Sequence, residues 1–245
     1  VLEDAVNFVP DQGVDDQTGH GTIVSNLLAK SDETKDGIIT TGDNIKLSEV
    51  RVLDENNQAP VSRVVEGLQW CIDHQIDIVN MSFGMDSNSQ VLHQVIQQMQ
   101  EKGILMIAAA GNNGPKDKSI TIPGLCRKII TVGSSDDEEG EVKNLGLMRG
   151  YSGRGPTEAC IMKPEVVAPG TAIVSCKRMG NGYEMKSGTS MATPVVAGAV
   201  AVLLSRYSNL KPAEVKLRLY ETSVDTGKSK HAQGWGRLDV MQLIR

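Results

Sequence analysis

Residues 77–115, "DIVNMSFGMDSNSQVLHQVIQQMQEKGILMIAAAGNNGP", contain two apolar, β-rich runs separated by a helical pattern. Between "DIVNMSF" (77–83) and "ILMIAAA" (104–110), the stretch "SQVLHQVIQQMQEKG" (89–103) repeats apolar residues at three- and four-residue spacing. That is the period of an amphipathic helix, and Gly103 stands where a C-cap glycine would end it. The alternation extends outward. "LSEVRVL" (47–53) and "KIITVGS" (128–134) read as further strands, and "VSRVVEGLQWCIDH" (61–74) as a second amphipathic helix. Strand, helix, strand, helix, strand predicts the α/β class, a doubly wound, mostly parallel β-sheet with helices on both faces. The strands are nearly continuous apolar runs, as covering on both faces requires. Beyond residue 135 the chain is richer in Gly, Pro and charge, and helical patterns return at 190–207 and 212–222. No repeat or linker interrupts it, so residues 1–245 are read as a single domain.

The net charge of −5 does not provide the basic face that nucleic acid binding requires. No uninterrupted apolar stretch reaches the roughly 20 residues of a membrane span. Neither nucleic acid nor membrane is expected as a partner. The four cysteines, Cys71, Cys126, Cys160 and Cys176, form no CxxC pair. They are expected to be free, mostly buried thiols, a pattern that leans toward a reducing, cytoplasmic compartment.

In open sheets of this class, ligands sit beyond the carboxyl ends of the strands. "GNNGP" follows the run 104–110, with Asn112 and Asn113 between Gly111 and Gly114, so the backbone can turn sharply while an amide projects. Of four histidines, His74 and His93 fall within amphipathic helices and are expected at the surface. His231 lies in a polar loop. His20 differs, because in "TGHGT" it is flanked by Gly19 and Gly21 at the head of the helical run "TIVSNLLAK". Ser187, Thr189 and Ser190 crowd the start of an apolar helix in "KSGTSMATPVVAGAVAVLL" (186–204), where each could serve as an N-cap. A serine oxygen attacks a carbonyl only if a base takes its proton, and a neutral imidazole suits that task. A helix N-terminus and an amide such as Asn112 could bind the resulting oxyanion.

"GHGT", "AAAGNNG", "SGRGP", "KPEVVAPG", "GTSMATPVVAG" and "GWGRLDV" occur in the order and approximate spacing of the subtilisin-like serine proteases. From about residue 7 to the C-terminus the chain resembles that family, in detail most nearly its bacterial intracellular-type members. The resemblance implies a serine endopeptidase with Ser190 as nucleophile, His20 as general base, and the Asn112 side chain and Ser190 N–H as oxyanion donors. It implies a peptide channel lined by Ser82, Phe83, Gly84, Ala109, Ala110 and Gly111, a polypeptide substrate, and no required cofactor. Family members often bind structural calcium; the acidic loops 31–37 and 134–141 are candidates, and no metal ligand is assigned.

The chain departs from the family pattern at one catalytic position. The third catalytic residue of the family is an aspartate in a D-S/T-G motif, and none of the 19 residues before His20 reads so. Asp15 and Asp16 are read as solvated loop carboxylates. A chain starting at Val1 is expected to have its aspartate on an N-terminal segment lost by proteolysis or lying on a separate piece, and that cleaved segment or a propeptide is the expected partner besides substrate; truncation and a degenerate pseudoprotease are the alternatives. Two smaller departures, "GHGTIVSN" and "SGRGP", remove no catalytic group. Without the aspartate the chain is expected to be a poor hydrolase, since its loss costs about 10⁴-fold in turnover. Two other functions stay open: a non-catalytic peptide-binding homologue, and an α/β-hydrolase-type esterase with Gly188-x-Ser190-x-Ala192 as its elbow and Asp225 and His231 as partners. "NGYEMKSGT" is a poor candidate for the strand that such an elbow needs.

Overall fold

The computed structural model describes residues 2–29, 45–86, 89–138, 147 and 149–245. The expected strands appear as β2 (Leu47–Arg51), β3 (Ile78–Met81), β4 (Leu105–Ala109) and β5 (Ile130–Ser134). The expected helices appear as α2 (Val61–Asp73), α3 (Gln90–Glu101), α4 (Thr189–Arg206) and α5 (Pro212–Thr222). Gly103 ends α3 with φ of +78°, a conformation open to glycine at little cost. β3, β4, β5 and β6 (Val166–Ala168) form a parallel four-stranded sheet in that order.

Alternation along β4 distributes the core. Leu105 and Ile107 face α4, together with Ile130, Val132 and Val166. Met106 and Ala108 face the opposite layer, where Val64 and Leu68 of α2 and Leu92, Val95 and Ile96 of α3 close over them. Each fully buried side chain of this size contributes about 1.5–3 kcal/mol, so strands covered on both faces anchor the domain. α4 is long and apolar enough to cross a membrane by length and composition, but most of it is buried within the fold.

Some elements depart from the sequence expectation. β1 (Leu2–Asn7) is a strand, although its first four residues are exposed, and it pairs in parallel with β2. β7 (Ile173–Cys176) and β8 (Tyr183–Lys186) form an antiparallel hairpin outside the main sheet. β8 thus puts a strand into "NGYEMKSGT", where a poor one was expected; its pairing with β7 and its alternating exposure keep it at the surface. The cysteines are free, as expected, yet only Cys71 is buried, while Cys126 and Cys176 are half-buried and Cys160 is exposed. The parallel strands also do not form one sheet: among the described residues, β1–β2 and β3–β6 are separate. α1 (His20–Ala29) packs against both β2 and α4.

A buried ion pair ties β5 to β6. Lys163, wholly buried, has its ammonium 2.8–2.9 Å from the carbonyls of Cys126 and Ile129, the Thr131 hydroxyl and both Glu165 oxygens. Burial pulls its pKa down to about 8, against the opposing attraction of Glu165. Lys216 bonds the same carboxylate at 2.8 Å from the partly exposed side. Removing one partner strands charge and carbonyls in a dry interior. Lys163→Met is expected to lower the unfolding free energy by about 3–5 kcal/mol, seen as a drop in the urea midpoint at an unchanged m-value.

Candidate active site

The N-termini of α1 and α4 carry His20 and Ser190. Before α1, the Asp16 carboxylate accepts hydrogen bonds from Thr18 N (2.9 Å), Gly19 N (2.9 Å), Thr22 N (2.8 Å) and Thr22 Oγ1 (2.7 Å). It thereby satisfies donors that a helix start leaves unpaired. Asp16 is half-buried and bonded, not the solvated loop carboxylate expected from sequence; Asp15 is exposed. Burial pushes the Asp16 carboxyl up, but the bonds from Thr22, Thr18 and Gly19 outweigh it and leave the pKa below 3.8. From the β7–β8 side, Arg178 donates to Asp16 O (2.8 Å) and Lys186 to Thr18 O (3.2 Å).

His20 is half-buried, and among the described residues its ring nitrogens make no hydrogen bond. Burial lowers its pKa below 6.5, Lys186 adds to that, and Asp16 opposes it. At neutral pH the imidazole is therefore the neutral form that a general base needs.

At α4, a network fixes the amide of Asn112. Thr189 N and Thr189 Oγ1 donate to Asn112 Oδ1 at 3.0 and 3.1 Å, and Gly111 N donates to Thr189 Oγ1 at 3.1 Å. With Oδ1 so engaged, Nδ2 is what the amide has left to offer as a donor. Gly188 precedes the helix with φ of +151°. A Cβ built on it would lie 3.3 Å from Asn112 Nδ2 and 3.8 Å from Ser190 N. The Asn112 amide and the backbone nitrogen of Ser190 thus both lie close to Gly188, where a side chain would press on the amide. Ser82 Oγ donates to Ser190 O at 3.0 Å and accepts from Asn80 Nδ2 at 2.9 Å. Thr189 and Ser82 were not singled out by sequence as supports of the serine. The only signal for Thr189 was its place beside Ser190, which an N-cap explained equally well.

The structure thus brings Ser190 and Asn112 to one loop cluster and His20 to the packed neighbouring helix. Among the described residues no hydrogen bond joins Ser190 Oγ to His20. The residues expected to line the channel divide. Phe83 is half-buried and Gly84 exposed, whereas Ala109, Ala110 and Gly111 are buried. Ala110 also has both backbone groups engaged, with Val132 O and Thr121 N.

Asp225 and His231 do not pair with each other. His231 lies 3.5 Å from Asp117, and Asp225 bonds Gly227, Gln233 and Lys230. That geometry, together with the surface position of β8, removes the basis for an α/β-hydrolase elbow. His74 and His93 are at the surface, as expected. Of the candidate calcium loops, 31–37 lies outside the described residues, as do positions 139–141 of the second. In the part of that loop that is described, Asp136 already accepts from Ser134, Gly170 and Thr171, and Asp137 from Ser152 and Lys228.

Comparison with known proteins gives a consistent picture. The Peptidase S8 subtilase family model matches residues 4–236. Serine protease AprX of Bacillus subtilis (strain 168) is 32% identical over 90% of this chain, which spans 56% of that protein's length. Subtilisin DY of Bacillus licheniformis is 34% identical over 92% of this chain and 77% of its own length. Among solved structures, Sphericase superposes with a TM-score of 0.81 at 26% identity, covering 97% of this chain and 85% of the other.

Two outcomes follow from the geometry. In a titration followed by imidazole NMR signals, His20 is expected to have its midpoint below 6.5, and Lys186→Met is expected to raise it. Because the unfolded chain then binds more protons, stability should fall as pH drops through the window below 6.5. Thr189→Val leaves Gly111 N without its acceptor and takes one of two donors from Asn112 Oδ1, which keeps the backbone N–H of residue 189. It is expected to slow phosphonylation of Ser190 about tenfold, the worth of one hydrogen bond of roughly 1.4 kcal/mol, and to lower the unfolding free energy by about 1–3 kcal/mol through the orphaned Gly111 N–H.

Proposed function

The chain belongs to the subtilase family, and we propose that it is a serine endopeptidase that cleaves polypeptides through an acyl-enzyme on Ser190. In this reading His20, kept neutral by its surroundings, takes the proton of Ser190 Oγ as it attacks the scissile carbonyl. The same imidazole returns that proton to the leaving amine, and a water then repeats the sequence on the acyl-enzyme. Negative charge develops on the carbonyl oxygen, where Asn112 Nδ2 and Ser190 N–H stabilise it. The chemistry calls for no cofactor. The observation that carries the proposal is the pair of hydrogen bonds, 3.0 and 3.1 Å, by which Thr189 N and Thr189 Oγ1 hold the Asn112 amide beside the residue that precedes Ser190.

A second reading has one observation in its favour. Among the described residues, no carboxylate hydrogen-bonds the His20 ring. A site in that state resembles a peptide-binding homologue that holds an extended chain without cutting it. Labelling by a fluorophosphonate separates the two readings, since only an activated serine is phosphonylated. Ser190→Ala and His20→Gln are each expected to abolish labelling, and Asn112→Leu to slow it by about 10²–10³-fold. His231→Gln is expected to leave it unchanged. If the 245-residue chain and the chain supplied with an orienting carboxylate both fail to label, the non-catalytic reading holds.

A further inference from the structure

Two glycines beside the nucleophile make room for a side chain of the protein itself. Residues 82–84 follow β3, and residues 110–112 follow β4. Both segments reach the start of α4. Ser82 Oγ donates to Ser190 O at 3.0 Å, while Gly111 N donates to Thr189 Oγ1 at 3.1 Å and Asn112 Oδ1 accepts from Thr189 N at 3.0 Å. A Cβ added to Gly84 would lie 2.3 Å from Thr121 Oγ1. One added to Gly111 would lie 2.5 Å from that same oxygen and 2.6 Å from Thr121 Cγ2. Non-bonded heavy atoms rest at about 3.5 Å or more, so neither position has space for a side chain. The Thr121 side chain occupies the seam between the two segments and lies against both glycine backbones.

Thr121 is held there from both sides. On the β4 side its N–H donates to Ala110 O at 3.0 Å. On the β3 side Met85 N donates to Ile122 O at 2.8 Å, and Ile122 N donates to Met85 O at 3.0 Å. The backbone at 121–122 thus bridges the two segments, and a β-branched side chain has little χ1 freedom with which to leave. Gly84 is exposed whereas Thr121 is buried, so the seam opens to solvent at Gly84 and ends at Thr121. The same contact accounts for the burial of Ala110 and Gly111, which were expected along an open channel.

We propose that Thr121 sets the substrate class: it fills the depth of the seam, so the residue whose carbonyl Ser190 attacks must be glycine or alanine. The position of cleavage rests on the reading of Ser190 as the nucleophile; the choice of side chain does not. A peptide carbonyl held by Asn112 and Ser190 N puts the Cα of its residue beside Gly111, and the side chain on that Cα enters the seam. A methyl fits above Thr121. Each further carbon has to displace a side chain anchored through its backbone on two sides.

Diphenyl phosphonates built on Ala-Ala-Ala and on Ala-Ala-Phe test this on the 245-residue chain, alongside a fluorophosphonate that carries no side chain. One methylene in a pocket already discriminates by about 10–200-fold, so the alanine compound is expected to phosphonylate Ser190 about 100-fold faster than the phenylalanine one. Thr121→Gly is expected to raise the phenylalanine rate about 100-fold and to leave the fluorophosphonate rate within about threefold. Thr121→Ser is the milder change, keeping the oxygen and removing the methyl that lies against Gly111. It is expected to raise the phenylalanine rate about tenfold. Acetylated tripeptide acids of the same sequences read the preference without chemistry, from dissociation constants followed at the amide NMR signals of Gly84 and Gly111.

A phenylalanine compound that reacts as fast as the alanine one overturns the proposal. So does an unchanged ratio between them in a folded Thr121→Gly or Thr121→Ser variant. If no phosphonate labels Ser190, the acids decide. Tighter binding of the alanine acid, reversed by Thr121→Gly, then supports Thr121 and counts against the catalytic reading of Ser190. Equal binding of the two acids, or binding of neither, overturns the selection by Thr121 as well.

Discussion

The arrangement of the site follows from the burial of one helix. α4 is apolar on nearly all sides, and it packs at once against β3, β4, β5 and β6 of the sheet and against α1. A helix held by so many partners cannot rotate or slide without opening the core. Its first turn is therefore fixed relative to the carboxyl ends of β3 and β4, where Ser82 and Gly111 lie. Because α1 packs on α4, the helix that begins with His20 is referred to the same frame. The serine and the histidine are far apart in sequence, and the helices that they begin pack against each other.

On that frame a few short polar contacts set the chemistry. The Thr189 hydroxyl accepts from Gly111 N and donates to Asn112 Oδ1, so it joins the loop after β4 to the start of α4 through one atom. Gly111 can make this approach because it adopts φ of +88° and a Cβ there would lie 2.5 Å from Thr121 Oγ1. Asp16 does at α1 what Asn112 Oδ1 does at α4: each accepts from a backbone N–H in the first turn of its helix.

The sequence made the centre of the fold legible and the rim much less so. β4 and β5 are buried at every position, and a strand covered on both faces must be an apolar run, so composition alone exposes it. α2 and α3 bury one stripe each, which leaves a helical period. β1 reads "LEDAVN" and is mostly exposed, with no apolar period to mark it; its pairing with β2 is a tertiary fact. Ser190, His20 and Asn112 were singled out because glycines and hydroxyls cluster around them in motifs that resemble those of a known family. Asp16 was misread because its partners are backbone N–H groups of a turn, which no pattern of side chains records. Ser82 was read as a channel residue; its bond to Ser190 O depends on how two loops meet.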